Sequence, residues 1–465
     1  MLCDNIGKGK VCDMRYSKNI EIREKYDLVV CGGGFSGFAA AYSAARENLN
    51  VILIERTGAL GGVGTNGLVN HILGERYIDG GEVKTCVGGL FSQMEKELLN
   101  MDGAIDIKDI DLDLPPHGWY AGLGIGLIFD KEKMKLLLEE MLLRVGVKIL
   151  YMTDIVDVFR YEDKLKGILV HNKSGLYGIA GRYFVDATGD ADICTMAGLK
   201  TQKGDEEGGM SAASLEMHLE NVDWTELIEY MRSTRDVRFK ALINELKEKG
   251  TWKFPYEIFI SVMLTKKDTF MINTIRQVGI DGTSADSLTY GIIDGRRENF
   301  ELFEIAKKHF PGFRNAKIRD IASVIGIRET NRIFGEYTLT VEDLITGKDF
   351  PDSIALSGYG WDMPNPKKPS DQPFHAVERK SPITQIPYGS LVPQGINNLI
   401  TVGRCISVER EVLGPVRVMG PCIAMGEAAG IATALALEEN KSYNKVNTNT
   451  LRGKIVAKGG LVDRV

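Results

Sequence analysis

Three glycines with the spacing of a phosphate-binding turn follow the first strongly apolar segment of the chain. Leu28–Cys31 is continuously apolar, and Gly32, Gly34 and Gly37 come after it. This spacing permits a tight turn, a close approach of the backbone to a pyrophosphate, and close packing of the next helix. A pyrophosphate is then held at the helix N-terminus, where unpaired N–H groups favour negative charge. The spacing predicts a dinucleotide site.

A carboxylate at the end of the next apolar segment supports this prediction. Glu55 lies 18 residues beyond Gly37 and directly follows Val51–Ile54. In this place a carboxylate can accept hydrogen bonds from both ribose hydroxyls of an adenosine. Strand, glycine turn, helix, second strand and acid together predict a βαβ unit of about 30 residues.

Further glycine-rich segments bear on which dinucleotide is bound. GGVGTNG follows the second strand, ATGD follows a later apolar segment, and GRCIS precedes a final run of small residues. Four separated segments suit an extended dinucleotide with a large ring at its far end, which favours FAD over NAD. An NAD-dependent dehydrogenase remains an alternative, as does a binding protein that kept the fold without redox activity.

The remaining pattern predicts an α/β fold with two regions of different texture. A helix is expected from Asp130 through Val145, and residues 201–390 are richer in aromatics and prolines. The predicted fold is a discontinuous Rossmann-like FAD-binding domain with an inserted α+β substrate domain. Strands are expected at 147–152, 155–160, 167–171 and 183–187. The predicted divisions are an N-terminal arm (1–24), the FAD-binding domain (25–200 and 391–465) and the substrate domain (201–390).

The composition is typical of a globular protein that binds neither nucleic acid nor a membrane. The 465 residues are 44% hydrophobic and 26% charged, with a net charge of −6. No basic field attracts nucleic acid or an anionic membrane. The longest early apolar run, Leu28–Ala45, has four glycines within six residues, which argues against a membrane span. Seven cysteines without a C-x-x-C pair predict reduced thiols in the cytoplasm and no metal site.

These segments together resemble a known family. VVCGGGFSGFAAA, ERTGALGGVGTNG, VDATGDADICTMAG, IGIRETNRIFGEYTLTVEDL and the stretch from IPYGSL to ATAL are similar to the bacterial FAD-dependent oxidoreductases of the glutathione-reductase-like superfamily. The resemblance covers residues 25 to about 440, and the IGIRETNR segment is its most specific part. It implies an FAD-dependent oxidoreductase that transfers hydride between flavin N5 and a small organic substrate. It leaves open the substrate, the redox direction, the electron acceptor or donor and the oligomeric state.

The resemblance also implies which residues contact FAD. The final helix is expected to direct its positive N-terminal end at the flavin pyrimidine. The AMP half is assigned to Gly32, Gly34, Gly37, Glu55 and Arg56, and the adenosine side to Thr188, Gly189 and Asp190. The pyrophosphate and its path to the ring are assigned to Gly62, Thr65 and Asn66, and the ribityl chain and ring to Gly403, Arg404, Met425 and Gly426. Further predicted contacts are Phe35, Ser36, Val63, Val156 and Arg417.

Five residues are candidates for the reacting site. His71 follows the GGVGTNG segment and is predicted to act as an acid or base beside the flavin, although a structural role stays open. His375 precedes the return to the FAD-binding domain. Arg328 either anchors an acidic or polyhydroxylated substrate or joins an ion-pair lattice with its neighbours. Relatives commonly carry a Thr-His-Glu-like triplet after GRCIS, where this chain has Glu409 and Arg410, so these two are candidates for the missing role.

Overall fold

The computed structural model describes residues 17–110, 125–368, 374 and 376–464. His375 lies outside these residues, as does most of the N-terminal arm. The strands are β1 (Ile22–Cys31), β2 (Val51–Ile54), β3 (His71–Ile72), β4 (Arg76–Asp79), β5 (Glu82–Thr85), β6 (Leu127–Ile128), β7 (Lys148–Leu150), β8 (Asp154–Tyr161), β9 (Lys164–Asn172), β10 (Gly175–Asp186), β11 (Thr201–Lys203), β12 (Met217–Glu220), β13 (Ser261–Met263), β14 (Phe270–Ile272), β15 (Lys317–Ile321), β16 (Asn331–Ile333), β17 (Ser353–Ser357), β18 (Thr384–Pro387) and β19 (Leu399–Thr401). The helices are α1 (Phe35–Arg46), α2 (Leu90–Asn100), α3 (Lys131–Arg144), α4 (Asp192–Met196), α5 (Trp224–Thr234), α6 (Lys240–Glu248), α7 (Ala285–His309), α8 (Val341–Thr346), α9 (Leu413–Val416), α10 (Met419–Glu438) and α11 (Thr448–Ala457).

The largest sheet combines a parallel part with an antiparallel part. Strands β7, β2, β1, β10 and β19 run parallel to their neighbours in that order. The first half of β10 pairs antiparallel with β9, which pairs antiparallel with β8. Parallel strands end at one edge of a sheet, so the glycine turn after β1, Glu55 after β2 and the ATGD segment after β10 meet there.

The predicted elements of this region agree with the structure. α3 begins after Asp130, whose side chain accepts hydrogen bonds from the N–H groups of Glu132 and Lys133. β7, β8 and β9 match the first three predicted strands with shifts of one to three residues at their ends, whereas the fourth prediction, 183–187, gave only the end of β10, which begins at Gly175 because its first half pairs with β9. One difference is that β1 begins at Ile22, inside the segment expected to be a loose arm, because it continues its pairing with β10 as far as Gly178.

Residues from the middle of the sequence form a second sheet. β13, β14, β12 and β15 form an antiparallel sheet in that order. One face packs on an aromatic core with α5, α6 and α7, in which Phe239, Phe259 and Phe310 contact each other. The other face contributes Val262 and Met271 to a small cluster with Leu73 and other residues of the first region. This sheet therefore lies over the FAD-binding layer.

The packing of residues 339–392 differs from that of the rest of the predicted substrate domain. Leu339, Leu344, Ile354 and Tyr388 belong to the same apolar core as α1 and α10. Most buried apolar residues between 217 and 316 instead form the separate aromatic core. The predicted domain boundary at residue 390 stays a prediction. The shared core favours grouping residues 339–392 with the FAD-binding domain.

Helix α10 is the central helix of the molecule. It packs along α1, and Gly426 lies so close that an added Cβ would be 2.1 Å from the backbone oxygen of Ser36. Its length and composition would allow it to cross a membrane, but 83% of its most apolar 18-residue stretch is buried. A core helix explains this composition.

Candidate functional site

The glycine turn after β1 has the geometry that its spacing predicts. Gly32 has φ +106°, a conformation that side chains other than glycine rarely adopt. A Cβ on Gly37 would lie 1.9 Å from the backbone oxygen of Gly32, so α1 can pack this closely only with glycine there. Gly34 caps the helix, and a Cβ on it would meet no atom within 4 Å. The N-terminus of α1 is therefore open on the side where a phosphate would bind.

Glu55 lies beside this turn. Its Oε2 accepts a hydrogen bond from the N–H of Gly33 at 2.7 Å, and its Oε1 accepts from the N–H and hydroxyl of Thr57 at 2.8 and 2.7 Å. The carboxylate thus fixes the turn as well as standing where a ribose is expected. Arg56 is exposed and lies close enough to the ATGD segment to favour the ionised form of Asp192, whose pKa burial raises to about 6.

The GGVGTNG segment runs from the N-terminus of α1 to that of α10. A Cβ on Gly62 would be 3.2 Å from the Cα of Gly34, and one on Gly64 would be 2.5 Å from Phe35 and 2.8 Å from Met419. Val63 is 41% exposed on this path. The segment therefore joins the two helix ends.

The side chains within this segment hold its shape. Thr65 donates a hydrogen bond to the backbone oxygen of Leu60 at 2.5 Å. The amide of Asn66 donates to the Thr57 hydroxyl and to the Ala59 oxygen at 3.0 and 3.2 Å. Thr65 and Asn66 thus stabilise the conformation of this segment, and their contact with the cofactor stays a prediction.

These features fit FAD. The N-termini of α1 and α10 are both buried, and neither has a side chain that caps it. The N–H groups in the first turn of α1 need an acceptor, and a pyrophosphate is one of suitable charge. In the first turn of α10 Gly420 already donates to Leu73 and Pro421 has no N–H, so this end offers a flavin pyrimidine the N–H of Met419 and the positive end of the helix dipole. An extended dinucleotide along Gly34, Gly62 and Gly64 would satisfy both ends.

The ATGD and GRCIS segments meet beside this path. Nη2 of Arg404 forms an ion pair with Asp190 at 2.7 Å, and Nη1 donates to the Thr330 hydroxyl at 2.8 Å. Thr188 donates its hydroxyl to the buried Asp186 at 2.7 Å. A Cβ on Gly189 would be 3.2 Å from Arg404, and one on Gly403 would be 2.9 Å from the Ser36 hydroxyl. Arg404 therefore ties the two segments together.

Two predicted cofactor contacts belong to packing instead. Met425 has no exposed surface and lies in the apolar core, and Gly426 lies against Ser36 of α1. We assign both to the contact between α10 and α1. Val156 is exposed on β8, the sheet's edge strand, and its predicted contact with the cofactor stays a prediction.

Glu329, Arg332, Arg410 and Glu411 form what we call the balanced cluster. Arg410 pairs with Glu329 at 2.7 Å and with Glu411 at 3.7 Å, and Arg332 lies 3.6 Å from Glu329. Glu329 also accepts a hydrogen bond from the N–H of Ser211. Two arginines face two carboxylates, so the lattice expected around this segment forms here, with Arg410 as an added member.

Arg238, Arg276, Arg328 and Arg417, with Asp362 and Glu216, form what we call the positive cluster. Arg417 pairs with Asp362 at 2.9 Å, and the Tyr359 hydroxyl donates to Asp362 at 3.3 Å. Arg276 and Arg328 donate to the Ser214 hydroxyl oxygen from Nη1 at 3.1 and 3.0 Å. Asp362 and Glu216 both favour the charged form of Arg276, and Asp362 favours that of Arg238, which places all six groups together.

Burial shifts the titration of this cluster. It raises the pKa of Glu216 to about 8, although Arg276 and Arg328 oppose the shift. It lowers the pKa of Arg328 to about 9, together with repulsion from Arg276 and Arg417. Near neutral pH Glu216 is therefore protonated and Arg328 charged, so the cluster carries excess positive charge.

The positive cluster lies between the second sheet and the N-terminus of α10. Ser214 and Glu216 precede β12, and Arg276 follows the antiparallel β14, so they share one end of that sheet. Arg417 lies two residues before α10, and Tyr359 packs with Leu73, Val262 and Val418. The cluster thus faces the helix end that the sequence assigns to the flavin.

The remaining reacting-site candidates are placed differently. His71 is buried on β3, and its neighbour Leu73 accepts a hydrogen bond from the N–H of Gly420 in the first turn of α10 at 3.0 Å. Glu409 is exposed, and its Oε2 accepts from the N–H of Val341 at the start of α8 at 2.6 Å. Glu409 therefore supports a helix end, and Arg410 supports the balanced cluster.

Sequence reasoning missed several members of the site. Arg238, Arg276, Glu216 and Asp362 are isolated in the sequence and carry no local motif. His218 was not singled out either, although its Nε2 lies 3.0 Å from the backbone oxygen of Leu68 beside the GGVGTNG segment, and burial lowers its pKa to about 4. Arg238 and Arg276 can be recognised only in the folded chain, where they form no ion pair among the described residues.

Two curated proteins are similar to part of this chain. A digeranylgeranylglycerophospholipid reductase of Methanococcoides burtonii is 25% identical over 190 residues, 39% of this chain and 42% of that protein. A thiamine thiazole synthase of Methanococcus aeolicus is 29% identical over 189 residues, 38% of this chain and 60% of that protein. The matched region spans less than two thirds of either relative.

Solved structures and a family model complete the comparison. A geranylgeranyl bacteriochlorophyll reductase-like protein of Thermoplasma acidophilum aligns with 94% of this chain and 84% of its own, at 14% identity and a TM-score of 0.46. A p-nitrophenol 4-monooxygenase of Pseudomonas putida aligns with 91% and 83%, at 10% identity and a TM-score of 0.46. The family model of FAD dependent oxidoreductases matches residues 27–455. The chain belongs to this family and is an enzyme whose cofactor is FAD.

Proposed function

We propose that the protein transfers hydride to or from FAD while it holds a small organic substrate between α10 and the second sheet. The proposal rests on what meets at the N-terminus of α10. The GGVGTNG segment reaches this helix end through Gly64, and Arg417 of the positive cluster lies two residues before it. FAD, when bound, supplies a flavin N5 that accepts or delivers two electrons as hydride. The substrate must therefore offer a C–O, C–N or C=C bond that can gain or lose hydrogen.

The chain's own residues have separate tasks in this proposal. The N–H groups at the start of α1 bind the pyrophosphate, and the positive end of the α10 dipole stabilises negative charge on the flavin. Leu73, Ile128, Val262 and Met271 form a buried apolar cluster beside the start of α10, which keeps water from that side of the proposed site. His71 is the proposed proton donor or acceptor, supported by its position two residues before Leu73, which accepts a hydrogen bond from Gly420 in the first turn of α10.

The proposal includes a separate electron acceptor or donor and a cytoplasmic location. All five cysteines among the described residues are free and buried, which supports a location in which thiols stay reduced. The second G-x-G-x-x-G spacing of the chain, Gly62-Val63-Gly64-Thr65-Asn66-Gly67, belongs to the GGVGTNG segment of the FAD site and does not begin a separate strand–turn–helix unit for a nicotinamide cofactor. A partner molecule that exchanges electrons with the flavin is therefore part of the proposal.

Anaerobic stopped-flow absorbance tests this function. The FAD-loaded protein is mixed with a panel of small alcohols, amines and saturated acids, and the photoreduced protein with matching carbonyl and alkene compounds. Bleaching or recovery of the flavin with one member of the panel, faster than with free FAD, supports hydride transfer. If no compound changes the flavin faster than free FAD, hydride transfer to small organic substrates is wrong.

A further inference from the structure

The positive cluster holds more cationic than anionic groups, of which Arg276 and Glu216 are buried and the others half-buried. It contains four guanidiniums and two carboxylates, and Arg417 already uses Asp362 as its ion-pair partner. Among the residues that the structure describes, Arg238, Arg276 and Arg328 form no ion pair. Buried charges without partners are costly, so a cluster of this kind is stable only when something compensates it.

We propose that Arg276 and Arg328 bind a carboxylate group of the substrate. This inference rests on the proposed function and adds the substrate's chemical class to it. The site is at the end of the second sheet that faces the start of α10. Bound there, a carboxylate holds the adjoining carbon of the substrate toward the flavin.

The hydrogen bonds of the two arginines leave their outer edges available. Arg276, only 9% exposed, uses Nη1 for Ser214 and Asn273, at 3.1 and 2.9 Å. Arg328 also uses Nη1, for the backbone oxygen of Ala212 and for Ser214. Within the described part of the chain, Nε and Nη2 of both arginines donate to no acceptor. These two atoms form the planar fork that binds a carboxylate through two parallel hydrogen bonds.

The shared Ser214 hydroxyl positions both forks. Both Nη1 atoms lie within 3.1 Å of its oxygen, which in turn donates to the backbone oxygen of Ile275 at 2.7 Å. Two guanidiniums that would repel each other are thus held together on one small polar group. Such an arrangement costs energy in the free protein and favours an anion that bridges them.

A carboxylate suits this site better than a phosphate. Asp362 is already ionised, because Arg417, Arg328 and Arg276 lower its pKa against the effect of burial. A phosphate carries a charge of about −1.5 to −2 near neutral pH and would be repelled by Asp362 more strongly than a carboxylate. The fixed forks also match the planar geometry of a carboxylate.

The test is a titration of the oxidised, FAD-loaded protein with small probes, read from the flavin absorbance spectrum. The probes are acetate, succinate, neutral succinamide and inorganic phosphate. We expect the carboxylates to shift the spectrum with saturation and succinamide to have no effect. Equal binding of succinamide, or phosphate binding tighter than either carboxylate, overturns the proposal.

Variants localise the binding. Arg328→Lys and Arg276→Lys keep the charge but lose the fork, and each is expected to raise the Kd for succinate by about tenfold or more. Arg297→Ala removes an exposed arginine of α7 and serves as the control with an unchanged Kd. An unchanged Kd in both lysine variants overturns the assignment, and the probe series on the wild type decides if a variant fails to fold.

The two proposals fail in different ways. Flavin reduction by a neutral compound at the same rate in Arg328→Lys and wild type would keep hydride transfer and overturn the carboxylate site. Arginine-dependent binding of succinate without flavin reduction by any compound would keep the carboxylate site and overturn hydride transfer.

Discussion

The balanced cluster and the positive cluster lie on either side of the segment from Ser211 to Ser214. Ser211 bonds to Glu329 and Arg410, whereas Ala212 and Ser214 accept hydrogen bonds from Arg328. Arg328 and Glu329 are adjacent in the sequence, yet each belongs to a different cluster. The two clusters differ in charge balance, not in burial or in residue type.

This difference separates a structural role from a binding role. In the balanced cluster each arginine has a carboxylate within 4 Å, so its charge is compensated inside the chain. In the positive cluster only Arg417 has such a partner among the described residues. Removing one partner of a compensated buried pair is strongly destabilising, whereas removing an uncompensated charge is not.

The largest expected effect is on the balanced cluster. Glu329→Gln leaves Arg332 and Arg410 buried with only Glu411 as a carboxylate, which is expected to lower the free energy of unfolding by about 3–5 kcal/mol. Urea denaturation measures it. Glu411→Gln is the matched control, because Glu411 is more exposed and its pair with Arg410 is expected to contribute only about 0–1 kcal/mol. If both variants lose the same small amount, the cluster does not stabilise the fold.

The next effect locates the reacting group relative to the positive cluster. His71→Ala is expected to keep FAD bound but to slow flavin reduction about 10²-fold, the usual contribution of a positioned acid or base. Stopped-flow bleaching measures the rate, with His171→Ala, an exposed histidine of β9, as the control. A wild-type rate in His71→Ala would make His71 structural.

A third change separates cofactor binding from substrate binding. Glu55→Ala removes the expected acceptor for the ribose hydroxyls and the partner of Gly33, so FAD affinity is expected to fall about 10- to 100-fold. The Kd is read from quenching of FAD fluorescence. At saturating FAD the Kd for succinate is expected to match the wild type, and a change in both constants would mean that the two sites are coupled.

The smallest effect concerns a carboxylate beside the balanced cluster in sequence but outside it in space. Glu409→Ala removes the acceptor for Val341 at the start of α8 and is expected to cost about 1 kcal/mol or less in the free energy of unfolding. The rate of flavin reduction is expected to stay unchanged. A large loss of rate would return Glu409 to the reacting site.

Local patterns predicted the cofactor side of the molecule. The tight turn at Gly32 and the helix contact at Gly37 follow from a spacing within a few residues, and Asp130 capped the expected helix. These features depend on backbone geometry, which short sequences specify. The family model over residues 27–455 confirms the FAD-dependent fold that these motifs predicted.

The substrate side could not be predicted in the same way. Arg276, Arg328 and Arg417 reach one volume from separate segments, and no local spacing records which carboxylates are nearby. The sequence allowed Arg328 either a lattice or an anchoring role. The fold assigned the lattice to Glu329, Arg332 and Arg410, and left Arg328 among uncompensated arginines.

The free energies of unfolding of Arg328→Met and Arg410→Met, measured side by side in urea on the FAD-loaded protein without added anions, test the contrast between the clusters most directly. Arg410→Met breaks the Glu329 pair and is expected to lose about 3 kcal/mol or more. Arg328→Met removes a half-buried charge that forms no ion pair and is expected to match or exceed the wild type. A large loss of stability in Arg328→Met, with little loss in Arg410→Met, would contradict the account.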